Sequence, residues 1–280
     1  MKEIDCTKIV KTVASLCMDA NYDLPEDVVH ALDDAYSREE SEIGKELIGK
    51  LLENAKLARK DKMPICQDTG YTTVFLELGQ EVTIKGGDLY EAVNEGLRQG
   101  SREGCLRASI VSDPVLRKNT GDNTPAVIHT QIVGGDSLKI IVAPKGAGSE
   151  NMSATVMLKP SDGKEGIKRF VLDQVKRAGA NPCPPVILGI GIGGTFEKAA
   201  LLAKKALLRP IGKSHSQKHY AAMEKGLLNS INRLGIGPGG LGGKVSALAV
   251  HIETAPCHIA SLPVALVFQC HAARHKEAIL

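Results

Sequence analysis

The 280-residue chain has no tryptophan, only four phenylalanines and five tyrosines. Its core must therefore be built from Leu, Ile, Val and Ala. No stretch approaches the ~18 apolar residues of a membrane span. The opening M-K-E-I-D-C-T-K-I-V lacks the apolar run of a signal peptide. A strong charge of either sign is also missing. The formal net charge is +3, and the charges are scattered, which argues against nucleic acid as a partner. The seven cysteines are odd in number and follow no framework spacing. Structural disulfides are thus not expected, and a reduced, cytoplasmic setting is.

What is present is ordinary in amount for a globular protein, and the length suffices for one large domain. There is no internal repeat, low-complexity segment or clear linker, so a single domain spanning 1–280 is expected. The first sixty residues read as helical, with helices at 26–37 and 41–60. Strands are expected at 72–78 and 81–85 around a turn at Gly79, followed by a helix at 88–103. Segments 126–133 and 138–142 read as a hairpin around Gly134-Gly135-Asp136-Ser137. Further helices are expected at 164–178, 196–208 and 215–233, and strands at 186–190, 247–253 and 263–269. The segment 235–243 reads as a flexible glycine-rich loop. Hairpins mixed with helical crossovers predict an α/β (α+β) fold, a mixed β-sheet flanked by helices.

Three isolated cysteines stand out. Cys66 lies in P-I-C-Q-D-T-G, Cys183 in N-P-C-P-P and Cys270 in F-Q-C-H. Each is flanked by turn-forming or polar residues. The prolines around Cys183 are expected to hold an extended, rigid loop. Three thiolates from three loops can hold an iron–sulfur cube by three of its irons and leave the fourth open to a ligand. Cys6, Cys17, Cys105 and Cys257 read as ordinary buried cysteines. Three thiolates with His271 would also suit structural zinc.

Other motifs are less specific. Gly189-Ile190-Gly191-Ile192-Gly193-Gly194 matches G-x-G-x-x-G, but the acidic strand end that a dinucleotide fold needs is absent from 208–212. Those glycines still allow close backbone approach. Lys145–Asn151 is a loop whose amides could hold an anion. Arg107 and Arg117 bracket an apolar stretch, and a guanidinium can grip a carboxylate in bidentate fashion. His215/His219 and His271/His275 have helical i, i+4 spacing without a catalytic glutamate, and read as structural or surface residues.

Taken together, P-I-C-Q-D-T-G, K-N-T-G-D-N-T-P, K-G-A-G-S-E-N, N-P-C-P-P, G-I-G-I-G-G-T-F-E-K-A-A-L-L-A-K-K-A-L-L-R-P and F-Q-C-H resemble the iron–sulfur hydro-lyases of the class I fumarate hydratase and L-tartrate dehydratase family. The motifs occur in family order over nearly the whole chain. The chain resembles the larger α subunit of the two-subunit form. The resemblance implies a [4Fe-4S] cluster on Cys66, Cys183 and Cys270, with one iron open to substrate. It implies that Gln67, Asp68, Arg107 and the Gly148 loop touch a dicarboxylate, with Asp68 and Arg107 in catalytic roles. Family enzymes also have a smaller C-terminal part that supplies further substrate-binding groups. A separate β subunit, in a hetero-tetramer, is therefore expected to complete the site, and the isolated chain to have little activity.

Overall fold

The computed structural model describes residues 2–280. In chain order the elements begin with β1 (Lys2–Asp5), α1 (Cys6–Tyr22), α2 (Glu26–Arg38), α3 (Glu42–Asp61), β2 (Tyr71–Gly79), β3 (Val82–Lys85) and α4 (Leu89–Glu103). Next come β4 (Val127–Val133), β5 (Leu138–Lys145), α5 (Ala147–Glu150), β6 (Ala154–Leu158) and α6 (Gly163–Ala178). The chain ends with β7 (Val186–Gly193), α7 (Phe196–Ala206), α8 (Lys218–Asn232), β8 (Ala247–Ala255), β9 (Leu262–Gln269) and β10 (Lys276–Ile279). The fold is mixed α/β, as predicted, but the strands form two four-stranded sheets and a two-stranded pair instead of one mixed sheet. The residues group into two compact units, the first being the residues up to Pro25, Asn54–Ala147 and Arg274–Leu280, the second Glu26–Glu53 and Gly148–Ala273. No helix among the described residues is long and apolar enough to cross a membrane.

In the first unit the sheet order is β10-β5-β2-β4. β2 runs antiparallel to β5 and parallel to β4. The expected hairpin of β4 and β5 is thus opened by β2, which lies between them. The turn still forms, but it hydrogen-bonds to the end of β2: Gly79 donates to the Ser137 carbonyl, and Glu81 to that of Gly135. Nor do β2 and β3 pair with each other, because β3 takes β1 as a parallel partner. One face of the sheet, with Val74, Leu76, Ile140 and Val142, packs against Ile9, Val13 and Leu16 of α1 and Val93 and Leu97 of α4. Asp88 caps α4 by accepting from the amides of Tyr90 and Glu91.

In the second unit the order is β6-β9-β7-β8. β7 shows why its glycines alternate. Leu188, Ile190 and Ile192 pack on one face with Ile167, Val171 and Val175 of α6 and Leu227 and Ile231 of α8. Gly189 and Gly191 point the other way, where α7 lies so close that a Cβ would sit 2.1 Å from the Ala203 carbonyl oxygen and 1.9 Å from that of Ala199. The G-x-G-x-x-G pattern is therefore a strand–helix packing device, and the strand runs on to Gly193, past its predicted end. Helix α8 starts at Lys218, so His215 and His219 do not share a helix face. His271 and His275 lie outside any helix.

β8 has one free edge, and side chains close it. Asn232 accepts from the Ala247 amide and donates to its carbonyl. Glu224 accepts from the Ile252 amide at 2.8 Å, and Arg209 donates to the Ile252 carbonyl. Arg209 pairs with Glu224 and Glu253. Beside them His251, 2% exposed, bonds through Nδ1 to the Ala206 carbonyl. Burial, reinforced by the Arg209 charge, pushes its pKa down to about 4.

Two outcomes follow for stability. Gly191→Ala should destabilise the fold by about 3 kcal/mol. Gly226→Ala, in α8 with nothing within 4 Å of the added carbon, should stabilise it by about 1 kcal/mol. Urea unfolding of both variants checks the contrast. The unfolded chain takes up a proton on His251 as pH falls below its ordinary 6.5, while the folded chain resists until about 4. Folding stability should then fall by about 3 kcal/mol across that window, and His251→Gln should flatten the slope measured by denaturation at pH 7, 5.5 and 4.5.

Candidate active site

The strand register decides which loops meet. In the first unit Tyr71 pairs with Lys145, Thr73 with Val127, and Lys276 with Val142. The segments before β2, before β4, after β5 and before β10 therefore leave the same end of one sheet. They carry Cys66-Gln67-Asp68, K-N-T-G-D-N-T-P, Gly146-Ala147 and Arg274 respectively. Asp68 ties three of them together. Its Oδ1 accepts from the Gly70 amide at 3.0 Å and its Oδ2 from the Ala147 amide at 2.9 Å. Its main-chain carbonyl accepts from Arg274 Nη2 at 2.5 Å. A Cβ on Gly70, which has φ +75°, would meet the Lys145 carbonyl oxygen at 2.4 Å, so the two loops require glycine there.

Arg107 is held through its backbone. Buried Thr69 Oγ1 accepts from the Arg107 amide at 3.0 Å and donates to its carbonyl at 3.3 Å. The guanidinium is left at the surface. The arm that follows is pinned at its far end, where the Ser109 amide donates to buried Asn123 Oδ1 and Arg98 Nε binds Asp122 at 2.9 Å. Arg98 holds the Asp122 carboxyl down to about 2. Gln67 is exposed and Cys66 half-buried, with the Cys66 thiol 3.4 Å from Gln67 Oε1.

The second sheet gathers its motifs in the same way. Ile187 of β7 pairs with Gln269 of β9, and Ala154 of β6 with Leu266. The segment before β7, carrying Cys183, thus leaves the same end as Cys270 after β9 and as the Gly148 loop before β6. His271 Nδ1 lies 3.2 Å from the Cys183 carbonyl, which joins the two cysteine loops. A Cβ on Gly148 would stand 3.5 Å from the Asn181 carbonyl. The N-P-C-P-P loop is not extended throughout: Cys183 has φ +55°, an uncommon conformation for a non-glycine residue, and its amide closes a turn onto Ala180. The glycine-rich segment expected to be flexible braces this loop. Gly239 donates to the Pro184 carbonyl, and buried Glu39 receives the amides of Lys244 and Val245. Burial works against the Glu39 carboxylate, but those amides with Ser41 and Glu40 win, and its pKa is lowered.

The seven cysteines are all thiols. Cys6 and Cys17 are buried, and burial raises the Cys17 thiol to about 12. Cys66 and Cys270 are half-buried, whereas Cys183, Cys105 and Cys257 are exposed. Cys105 and Cys257 were expected in the core and are not there. The donor set at the two sheet ends, soft cysteine sulfurs on loops held by other loops, fits an iron–sulfur group. Cys66 belongs to the first unit, Cys183 and Cys270 to the second. Within either unit, among the described residues, no three His, Cys, Asp or Glu side chains gather to hold a metal ion. Glu39 and Arg274 went unsignalled in the sequence. The only available hint was Arg274's position four residues after Cys270.

Residues 10–279 match the family model described as fumarate hydratase (fumerase). A Methanocaldococcus jannaschii protein named "Putative L(+)-tartrate dehydratase subunit alpha" is 48% identical over 273 residues, covering 95% of each chain. The L(+)-tartrate dehydratase subunit alpha of Escherichia coli K12 is 34% identical, over 98% of this chain and 91% of its own length. That of Shigella sonnei is also 34% identical over the same shares. Thr69→Val removes the hydroxyl that holds the Arg107 main chain and should cost about 1–2 kcal/mol, seen as a lower urea midpoint; an unchanged midpoint would contradict that hold. A match over nearly the full length, with the motifs collected at two sheet ends, makes this chain a member of the fumarate hydratase family.

Proposed function

We propose that this hydro-lyase chain is an α subunit that adds water reversibly to a four-carbon dicarboxylate, converting fumarate to L-malate. The observation that carries the reading is the collection of Cys66, Gln67, Asp68 and the Arg107 anchor at one sheet end, and of Cys183, Cys270 and Gly148 at another. In this reading Cys66, Cys183 and Cys270 hold a [4Fe-4S] cluster. Bound there, the cluster supplies Lewis acidity at the iron without a protein ligand, which lets hydroxide leave near neutral pH.

The chain's own residues bind and orient. The Arg107 guanidinium, fixed through its backbone by Thr69, takes one carboxylate in bidentate fashion and stabilises charge that grows on it as the neighbouring carbon loses its proton. Gln67 presents an amide beside Cys66 and orients the substrate hydroxyl. Asp68 has both oxygens engaged by amides. It keeps lone pairs to accept from the hydroxyl, so it orients that group and holds the loop. Gly148 leaves room for the substrate against the N-P-C-P-P loop. The group that removes the carbon-bound proton is assigned to a separate β subunit, in a hetero-tetramer.

A second reading has support in the relatives' names. Dehydration of L(+)-tartrate to oxaloacetate uses the same groups on a substrate with one more hydroxyl. Anaerobic reconstitution of the chain with iron and sulfide, alone and with the β subunit, tests the proposal. Native protein should carry about four irons and four sulfides, and each of Cys66→Ser, Cys183→Ser and Cys270→Ser should lose them. Turnover of fumarate should appear only with β. Retention of the cluster in any of the three variants, or full activity of the α chain alone, would refute the assignment, and faster turnover of tartrate would select the second reading.

A further inference from the structure

Arg274 is the most anomalous charge in the first unit. It is 4% exposed. Its Nη2 donates to the Asp68 carbonyl at 2.5 Å. Its Nε and Nη1 are buried and have no hydrogen-bond partner among the described residues. Among the described residues no carboxylate pairs with it either, whereas Lys276, two residues on, pairs with Asp23. The Arg274 charge does reach the Cys17 thiol, but burial dominates there and keeps Cys17 protonated near neutral pH. A buried guanidinium with three unmade N–H bonds and no paired carboxylate is strongly destabilising unless something anionic answers it. Position says what answers. Arg274 comes off the sheet end that carries the Cys66 loop, and its one bond is to the residue two beyond Cys66.

We infer that Arg274 is a positioning residue and the counter-cation of the anionic cluster anchored at Cys66. Nη2 fixes the main chain of the Cys66-Gln67-Asp68 loop, and Nε–H and Nη1–H donate to the thiolate and sulfide sulfur of the loaded site. Three thiolates on a four-iron, four-sulfur core carry net negative charge, so the same side chain is a liability in the empty chain and an asset in the loaded one. This inference rests on the cluster reading above. It adds a protein group that is no ligand and no substrate contact, and that sets how firmly the cluster is kept.

The test compares wild type, Arg274→Met and Arg274→Lys, each as metal-free chain and after anaerobic reconstitution. Thermal melting and the rate of chelator-driven cluster loss are the readouts. Arg274→Met should leave the metal-free melting temperature unchanged or raised, because an unpaired buried charge is gone. The same variant should lose its cluster about tenfold faster than wild type, and Arg274→Lys, which keeps the charge, should recover most of the retention. If Arg274→Met lowers melting of metal-free and loaded protein alike, or fails to fold without metal, the residue only braces Asp68 and the inference is overturned. It is equally overturned if a dicarboxylate alone raises the melting temperature of the metal-free wild type but not of Arg274→Met, since the guanidinium would then be a carboxylate site. Failure of the wild-type chain to take up iron, with or without β, would instead overturn the cluster reading.

Discussion

The strand register is the constraint on which the rest of the structure depends. Pairing Ile187 with Gln269 places the residues before β7 and after β9 at one end of a sheet, and these are the residues that carry Cys183 and Cys270. Pairing Tyr71 with Lys145 does the same for the Cys66 loop and Gly146-Ala147. A slip of one residue would turn Leu188, Ile190 and Ile192 away from their core and drive side chains into α7. The alternation of large residue and glycine in β7 therefore fixes both the packing and the placement of the cysteine loops. Few segments of this chain serve two ends so directly.

Loops at a sheet end are held here by polar side chains that reach main-chain groups. Asp68 receives two amides and gives its carbonyl to Arg274. Glu39 receives the amides that begin the approach to β8. Thr69 takes both main-chain groups of Arg107. Apart from the local bond between Asp68 and Gly70, each is a bond from a side chain to distant backbone, so the loops keep their shape without regular structure of their own. This suits a site whose ligands must be spaced before the ligand arrives. It also explains the positive φ at Cys183, since the turn onto Ala180 and the brace at Pro184 fix the backbone on both sides of it.

Much of this was legible beforehand, for physical reasons that differ by element. Helices α2, α3 and α4 were readable because their apolar residues recur at helical spacing, with Pro25 and Ser41 marking two of the starts. The motifs around Cys66, Cys183 and Cys270 were readable because turn chemistry and reactive side chains are local. Neighbour relations between strands were not. The Gly134–Ser137 turn looks like a hairpin turn because its local sequence is one, and only the long-range insertion of β2 separates β4 from β5. The glycines of β7 hid the strand's length because periodicity is carried by side chains they lack. Strands β1, β6 and β10 are too short to rise above their surroundings. Arg274 and Glu39 were invisible for another reason: their charges become notable only when distant segments bury them.

The central claim is that three thiolates leave one iron distinct from the others. The Mössbauer spectrum of the chain reconstituted anaerobically with ⁵⁷Fe, with the β subunit present, tests it most directly. The account predicts that one iron in four has parameters that shift when L-malate is added, while the remaining three hold still. Four irons that ignore the dicarboxylate, or a protein that binds no iron at all, would contradict it.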